Sequence, residues 1–278
     1  VNEKDYVYYG DNPNNFIYYN CSNNDDLSTC ELWRIIGFFY NQETKRYVTK
    51  IIRNNSISSY QYDYKMQEEE NLSSNNWEES TLNKYLNEEY KLKNNNDILL
   101  EEYKQSLEVI PNLEIDVKTM KDTELETSSK ITIMTISDFI NASSCSKTKL
   151  NEYTNECITN NWLNNIEIKD EWTMTSKEVV IPVVEEIEEE IIPEEPIIDE
   201  IVPEEDLDDE LEENPEEEIE TEPVEEKKYI INYAYLSGGN ILESDVNEFH
   251  SVRPTAFLKS RIILLGGTGT LETPYIIK

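Results

Sequence analysis

Short runs of apolar and aromatic residues alternate along the chain with polar connections rich in Asn, Ser and Gly. Runs of β-branched and aromatic residues between such connections are typical of β-strands. By this criterion the sequence predicts strands at residues 16–20, 31–40, 45–54, 130–136, 171–175, 229–236, 251–258 and 274–278. A turn is predicted at 41–44, and a further strand starts near 241 after the turn SGGN. The chain is therefore predicted to be rich in β-sheet.

One segment has the period of a helix instead. Asn76 fits an N-cap, because Glu79 follows three residues later as in a capping box. Four apolar residues then share one helical face: Leu82, Tyr85, Leu86 and Tyr90. The spacing predicts a helix over 76–90.

Two shorter helical patterns follow. Residues 97–107, DILLEEYKQSL, predict a short helix that stops near Pro111, and residues 137–143, SDFINAS, predict a capped turn of helix. Residues 112–129 are mainly polar and carry no strand prediction.

Residues 179–226 differ from the rest of the chain. The stretch from Glu178 to Glu226 contains 25 acidic residues and no Lys or Arg, and six of the ten prolines lie in it. Frequent proline prevents a long helix and the charge density prevents collapse, so this segment is predicted to be extended and disordered. We interpret it as a solvating spacer. A calcium sponge and a ligand for a basic partner are the alternatives.

Strand patterns continue on both sides of this acidic insertion. The sequence therefore predicts one domain, formed by residues 1–178 together with 227–278 and interrupted at 179–226. Closing a loop of this length costs roughly 3 to 4 kcal/mol, and such an insertion is tolerated best between adjacent strands at a surface turn. Residues 171–175 and 229–236 are thus expected to pair. The predicted fold class is α+β, mostly antiparallel β with one or two flanking helices.

The net charge of −35 comes mainly from the insertion, since without those 25 acidic residues the chain would carry −10. Strong acidity repels nucleic acid and anionic lipid, so neither is expected as a partner. No apolar run approaches the roughly 20 residues that span a bilayer. The chain opens at Val1 with polar residues and shows no basic-then-apolar leader. We therefore expect a mature or trimmed ectodomain without its targeting segment.

The four cysteines form two local pairs, Cys21 with Cys30 and Cys145 with Cys157, and each pair encloses a polar loop. Local pairing is the least costly of the three connectivities, and each bridge would add roughly 2.5 to 3 kcal/mol by loop entropy. Disulfides persist outside the reducing cytoplasm, so an extracellular or cell-surface location is expected. Free thiols are one alternative. A zinc site is another, which the spacing and the single histidine disfavour.

Motifs for catalysis and for cofactor binding do not stand out. No glycine lies between Phe38 and Ser237, and GGTGT at 266–270 has the character of a turn rather than a phosphate loop. A histidine-assisted triad would need His250, the only histidine, for which a surface or packing role is expected. Neither EF-hand spacing nor a distinctive pair of carboxylates appears. We predict no catalytic residue, no cofactor and no metal site.

Aromatic residues and one arginine complete the set of candidates. Four tryptophans could line a sugar site by stacking, but each lies at the edge of a predicted element, where core packing is the default. They are Trp33, Trp77, Trp162 and Trp172. Arg253 lies inside an apolar strand, so we expect it to pair with a carboxylate of the same domain.

Several stretches keep their order along the chain: GDNPNNFIYYN, ELWRIIGFF, IIRNNSI, NNWEESTLNKYLN, EWTMT and VRPTAFLKSRIILLGGTGTLETPYII. Over residues 6–175 and 229–278 the chain resembles an uncharacterised ectodomain of low-GC gut Firmicutes and mollicute-like bacteria. The layout is also similar to the wider C-type-lectin-like group, in which the N- and C-terminal strands pair and long loops carry function. The oxidase-type enzymes of that group need a late cysteine pair, and no cysteine follows Cys157.

These observations predict a non-catalytic binding or adhesion module at a bacterial cell surface. The expected partner is a cell-surface or host ligand, either a glycan or a protein. The first alternative is a pilin-like or surface-layer subunit whose anchor has been removed. The second is a carbohydrate-active enzyme.

Overall fold

A computed structural model of the chain describes residues 5–64, 77–93, 96, 99–101, 103–110, 122–145, 149–164, 167–177 and 232–278. Two β-sheets and a few short helices make up this part of the chain. The fold is therefore α+β and mostly β, which confirms the predicted class.

The first sheet has eight strands within the described residues. They are β1 Tyr6–Val7, β2 Phe16–Tyr19, β3 Glu31–Asn41, β4 Arg46–Arg53, β8 Ile131–Thr132, β13 Thr255–Leu258, β14 Leu264–Gly266 and β15 Tyr275–Ile277. Their order in the sheet is β14-β15-β2-β3-β4-β13-β8, with β1 added beside β3. β15 runs parallel to β2, and the other pairs of this sheet are antiparallel. The first and last parts of the described chain are thus neighbours in one sheet.

The second sheet has seven described strands. They are β5 Ser58–Tyr60, β6 Gln105–Ile110, β7 Asp122–Thr127, β9 Asp170–Lys177, β10 Asn232–Ser237, β11 Asn240–Asp245 and β12 His250–Val252. Five of them lie in the order β11-β10-β9-β12-β5, and β6 is joined to both β7 and β9. β9 is parallel to β6 and to β12, and the other pairs are antiparallel.

The helices are short. They are α1 Thr81–Lys84, which follows a 3₁₀ turn at Trp77–Glu79 and continues as a π turn at Tyr85–Glu89, then α2 Ile136–Asn141 and α3 Asn155–Thr159. Two more 3₁₀ turns lie at Leu27–Thr29 and Leu150–Glu152. The helix predicted over 76–90 is thus broken into three pieces. Asn76, the predicted N-cap, lies outside the described residues, and the Ser80 hydroxyl caps α1 by accepting the N–H of Asn83 at 3.1 Å.

Both faces of the first sheet are buried, which explains why the sequences of its central strands are almost continuous apolar runs. Successive side chains of a strand point to opposite faces. Trp33 and Ile35 of β3 belong to one hydrophobic cluster, which also contains Trp172 of the second sheet. Ile36 belongs to another cluster, which contains Phe139 of α2. One face of the first sheet therefore packs against β9 of the second sheet and against the helical segment that contains α1. The other face packs against α2 and α3, which we call the helical layer, and against residues of β6, β10 and β11.

The predicted helix at 97–107 is wrong at its C-terminal end, where Gln105 already belongs to β6. Leu107 and Ile110 of β6 are buried, and the strand pairs with β7 on one side and β9 on the other. These ladders satisfy the backbone N–H and C=O groups on both edges, which outweighs a local helical preference. β7 was also missed, because its sequence, DTELET, is mostly polar.

Two predicted strands are shorter than expected. Only Ile131–Thr132 of the strand predicted at 130–136 forms a ladder, because Thr135 already begins the capping box of α2 with Asp138. The strand predicted at 251–258 is two strands, β12 and β13, which lie in different sheets. Proline has no N–H for a ladder, so the chain changes sheets at Arg253 and Pro254.

The cysteines pair locally, Cys21 with Cys30 and Cys145 with Cys157. The polar composition of the first loop has a local reason. The side chain of Asp26 accepts the N–H of Ser28 at 3.0 Å, and that of Thr29 accepts the N–H of Asn23 at 2.9 Å. Asn, Asp and Thr therefore satisfy the backbone of a loop that is too short to form its own ladder.

The strands on either side of the acidic insertion pair directly, as predicted. β10 is antiparallel to β9, with Tyr235 opposite Trp172 and Leu236 opposite Glu171. The insertion predicted at 179–226 lies outside the described residues. The connection between β9 and β10 therefore leaves and re-enters the sheet on neighbouring strands.

This pairing predicts that the insertion can be replaced by a short turn. If residues 179–226 are exchanged for a Gly/Asn turn of four or five residues, we expect the same or a higher melting temperature. The closed loop becomes shorter, which stabilises the fold by about 2 kcal/mol, and charge repulsion falls by an amount that shrinks with added salt. Thermal unfolding of the two chains at low and high salt measures both effects. A variant that does not fold would show that the insertion is required by the domain.

The disulfides make a second prediction. Peptide mapping without reduction should recover Cys21 linked to Cys30 and Cys145 linked to Cys157. A Cys→Ser pair at either bridge should lower the free energy of unfolding by roughly 2.5 to 3 kcal/mol, because the unfolded chain gains loop entropy. A long-range linkage, or four alkylatable thiols after refolding in air, would contradict the pairing.

Candidate functional site

The strongest candidate site is a polar cavity of about 500 Å³, which we call the arginine cavity. It lies beside β3 and the segment that follows α3. Two arginines, three asparagines and two acidic residues supply most of its polar lining: Arg34, Arg253, Asn54, Asn161, Asn164, Asp11 and Glu167. Asp11 and Glu167 are exposed, whereas both arginines are buried.

Arg34 is placed in the cavity by the alternation of β3. It points to the same face as Ile36, the face that the helical layer covers, and its side chain is 8% exposed. Nε donates to Oδ1 of Asn15 at 2.9 Å, and Nη1 donates to the carbonyl of Trp162 at 3.2 Å. Nη2 lies 3.5 Å from the carbonyl of Pro13. A guanidinium carries five N–H groups, so two of them remain for another acceptor.

Two aromatic rings hold the guanidinium of Arg34 between them. Its carbon lies 4.2 Å from the ring centre of Phe16 and 4.3 Å from that of Trp162. Cations are attracted to the faces of aromatic rings, and more strongly where water is excluded. The rings therefore fix the plane of the guanidinium without neutralising its charge.

No carboxylate of the described residues lies within ion-pair distance of Arg34. Burial and, to a smaller extent, the charge of Arg253 lower the pKa of Arg34 to about 9. The side chain therefore still carries its charge at neutral pH. A buried cation without a counter-ion is costly, and among the buried cations of the described residues Lys50 and Arg253 form ion pairs whereas Arg34 does not.

The charge of Arg253 is neutralised by a carboxylate, unlike that of Arg34. Its Nε and Nη2 donate to the two carboxylate oxygens of Glu171 at 2.6 and 2.8 Å, and Nη2 also donates to the carbonyl of Leu163 at 2.8 Å. This confirms the predicted pairing with a carboxylate. Burial raises the pKa of the Glu171 carboxyl, and the charge and hydrogen bonds of Arg253 oppose that rise. Within the described residues, Nη1 of Arg253 has no hydrogen-bond partner, so its two N–H groups remain for the cavity.

The second disulfide shapes the wall of the arginine cavity. Cys157 lies in α3, and its carbonyl accepts the hydroxyl of Ser143 at 2.9 Å. Four residues after Cys157, the amide of Asn161 donates to the carbonyl of Phe139 and to the hydroxyl of Tyr153, at 2.6 and 2.7 Å. The segment that carries Trp162 to Arg34 is therefore held by a covalent bridge and by buried hydrogen bonds.

The four tryptophans are all buried, which confirms the expectation of core packing. Trp33, Trp77 and Trp172 lie in the larger hydrophobic cluster. Trp162 lies in the other cluster, and it alone of the four also lines the arginine cavity.

His250 has a packing environment. Its ring meets the ring of Trp172 edge-on with centres 4.3 Å apart, and Nε2 lies 2.7 Å from Oγ of Ser244. Burial lowers the pKa of His250, and the charges of Asp170 and Glu248 oppose the shift. A Ser–His contact is also the start of a nucleophile–base pair. Because the imidazole is packed against Trp172, we assign this contact to the short connection between β11 and β12.

Sequence reasoning singled out Arg253 and missed Arg34. A signal was available, because Arg34 is a charged residue inside the apolar run ELWRIIGFF. Such a run indicates a strand with both faces buried, so a charged side chain within it is buried whichever face it points to. What the run cannot reveal is whether a carboxylate faces the arginine, since its neighbours Phe16 and Trp162 come from distant segments.

Two further observations concern the described part of the chain. It contains no group of three or more His, Cys, Asp or Glu side chains arranged to hold a metal ion. None of its helices is long and apolar enough to cross a membrane.

Comparison with known proteins gives no relative from which a function could be transferred. No family model, no curated protein and no solved structure matches this chain. The function must therefore be argued from the geometry.

The ion pair of Arg253 and Glu171 can be tested by a double-mutant cycle. Arg253→Met should lower the free energy of unfolding by about 3 to 5 kcal/mol, because it leaves the Glu171 charge buried without a partner. Adding Glu171→Leu to the same chain should restore most of this loss, since no buried charge then remains. Urea unfolding measures both values.

The matched control is Lys104→Met, which removes a cation from an exposed pair with Glu126 at 3.8 Å. Its effect should stay within about 0.5 kcal/mol. Equal losses in the single and double variants at Arg253 and Glu171 would contradict the buried-charge explanation.

Proposed function

We propose that this chain is a non-catalytic binding or adhesion module at a bacterial cell surface, and that the arginine cavity takes an anionic group of its glycan or protein ligand. The observation that carries the proposal is the buried charge of Arg34, which has no carboxylate partner among the described residues. An anion in the cavity would supply the missing counter-charge. Guanidinium groups bind carboxylates, sulfates and phosphates through paired N–H donors.

The donors left over match such a group. Among the described residues, Arg34 has two N–H groups without an acceptor and Arg253 has two on Nη1, and both arginines line the same space. The chain as a whole is strongly acidic, so diffuse attraction of anions is not expected. Binding would therefore depend on these specific contacts, which favours recognition over nonspecific adsorption.

The location rests on the disulfides and on the resemblance. Two disulfides in one chain are typical of secreted or extracellular proteins. The parallel pairing of β2 with β15 supports a C-type-lectin-like arrangement, because the N- and C-terminal strands pair in that group. The pilin-like and enzymatic alternatives stay as sequence predictions.

Anion binding can be tested at the edge of the cavity, away from the core. Thr159 lines the cavity and is exposed, so a substitution there should not disturb packing. Millimolar sodium sulfate or sodium glucuronate, at constant ionic strength, should raise the melting temperature of the unchanged chain, because a ligand that binds only the folded state stabilises it. Thr159→Glu should abolish this rise by placing a negative charge in the cavity.

Thr159→Gln is the matched control. Gln has the same size as Glu but no charge, so this variant should keep the rise in melting temperature. Glucose, which is neutral, should have no effect on any of the three chains. Sulfate also stabilises proteins through general exclusion from their surface. A rise of equal size in Thr159→Glu and Thr159→Gln would therefore be general salt stabilisation and would refute the proposed site.

A further inference from the structure

A second cleft, of about 240 Å³, contains three buried ionisable groups: Lys50, Glu108 and Asp138. They come from β4, β6 and α2. Phe39 and Phe257 line the same space, which we call the Lys50 cleft.

Lys50 and Asp138 are in direct contact. Nζ of Lys50 lies 2.6 Å from Oδ2 of Asp138, and the two side chains are only 3% and 6% exposed. The carboxyl carbon of Asp138 is one bond further from the amine. The amine and the carboxyl group are thus held in direct contact by residues 88 positions apart in the chain.

As an ion pair this contact is poorly satisfied. The ammonium of Lys50 has three N–H donors, and among the described residues its one hydrogen-bond acceptor is Asp138. Its next neighbour is the ring of Phe257, with the centre 5.4 Å from Nζ. Burying two charges in apolar surroundings is costly unless further hydrogen bonds satisfy them. An amide at the same place would have one N–H donor and no charge.

Glu108 supplies a second carboxyl to the same cleft. Its Oε2 accepts the N–H of Ser137 at 3.2 Å and the hydroxyl of Thr175 at 2.9 Å, and Ser137 precedes Asp138 in the chain. The structure gives Oε1 no hydrogen-bond partner among the described residues. Burial and the charge of Asp138 raise the pKa of the Glu108 carboxyl, and the hydrogen bonds from Ser137 and Thr175 oppose the rise. A carboxyl of this kind can both donate and accept a proton.

We propose that Lys50 and Asp138 become joined by an amide bond between Nζ and Cγ, with Glu108 as the proton carrier. Proton transfer within the pair gives a neutral amine and a carboxylic acid. Nζ then attacks Cγ, Glu108 donates a proton to the departing hydroxyl and takes one from Nζ, and the Cγ–O bond breaks. One water molecule leaves, Glu108 returns to its starting state, and no oxidant or other reactant is needed.

The surrounding structure is compatible with the product. The backbone N–H of Thr135 donates to a carboxylate oxygen of Asp138 at 2.9 Å as half of the capping box of α2. An amide keeps one oxygen on Cγ, so the remaining carbonyl can accept the same hydrogen bond. The link would tie β4 of the first sheet to α2, and unlike the disulfides it would resist reduction.

The mass of the folded, reduced full chain tests the proposal directly. It should be lower than the mass of the sequence by one water molecule, and proteolysis should release a branched peptide that contains Lys50 and Asp138. Lys50→Met should show the full mass and melt at a lower temperature. Asp138→Asn should lose ammonia in place of water, because the amide nitrogen of Asn is then the leaving group.

Two further variants define the role of the neighbours. Glu108→Gln should fold but keep the full mass, since its amide cannot carry the proton. Lys104→Met, which changes an exposed lysine of the same cleft, should lose water as the unchanged chain does. A folded unchanged chain at full mass would show an ordinary ion pair and would overturn the proposal. Loss of water at the same rate in Glu108→Gln would overturn the part assigned to Glu108.

Discussion

The ion pair between Arg253 and Glu171 is the constraint on which most of the fold depends. Arg253 stands where the chain passes from β12 in the second sheet to β13 in the first, and Glu171 lies on β9. The same guanidinium donates to the carbonyl of Leu163, next to the wall of the arginine cavity. One buried side chain therefore connects two sheets and the site. Because the pair is bidentate and buried, it tolerates little displacement of any of these elements.

The two faces of the first sheet differ in the side chains that they bury. One face is apolar and packs on the second sheet through Trp33, Ile51 and Trp172. The other face carries the two buried cations Arg34 and Lys50 toward the helical layer. Lys50 meets a carboxylate there, whereas Arg34 meets two aromatic rings. Burying two cations on one face of a sheet is costly for stability, and binding and chemistry are expected at such places.

Much of the secondary structure follows from local pattern, and its failures have physical causes. Strands β2, β3 and β4 form where aromatic and β-branched residues cluster, because such side chains pack well on a pleated surface. The polar strand β7 and the strand β6 were not predicted, because their partners in the ladder, not their own residues, stabilise them. The break at Pro254 divides one apolar run between two sheets, and only the arrangement of the sheets makes that division necessary.

The sequence by itself determined which cysteines pair, where the acidic insertion interrupts the sheet, and that Arg253 needs a carboxylate. Each of these follows from short-range rules: loop entropy, proline and charge density, and the cost of a lone buried charge. Only the tertiary structure decided that Arg34 has no counter-ion among the described residues, and that Lys50, Glu108 and Asp138 meet in one cleft. Contacts of this kind join residues tens of positions apart, and nothing in the local pattern specifies which distant side chain will face which. Their charges interact strongly because the fold has removed the water between them.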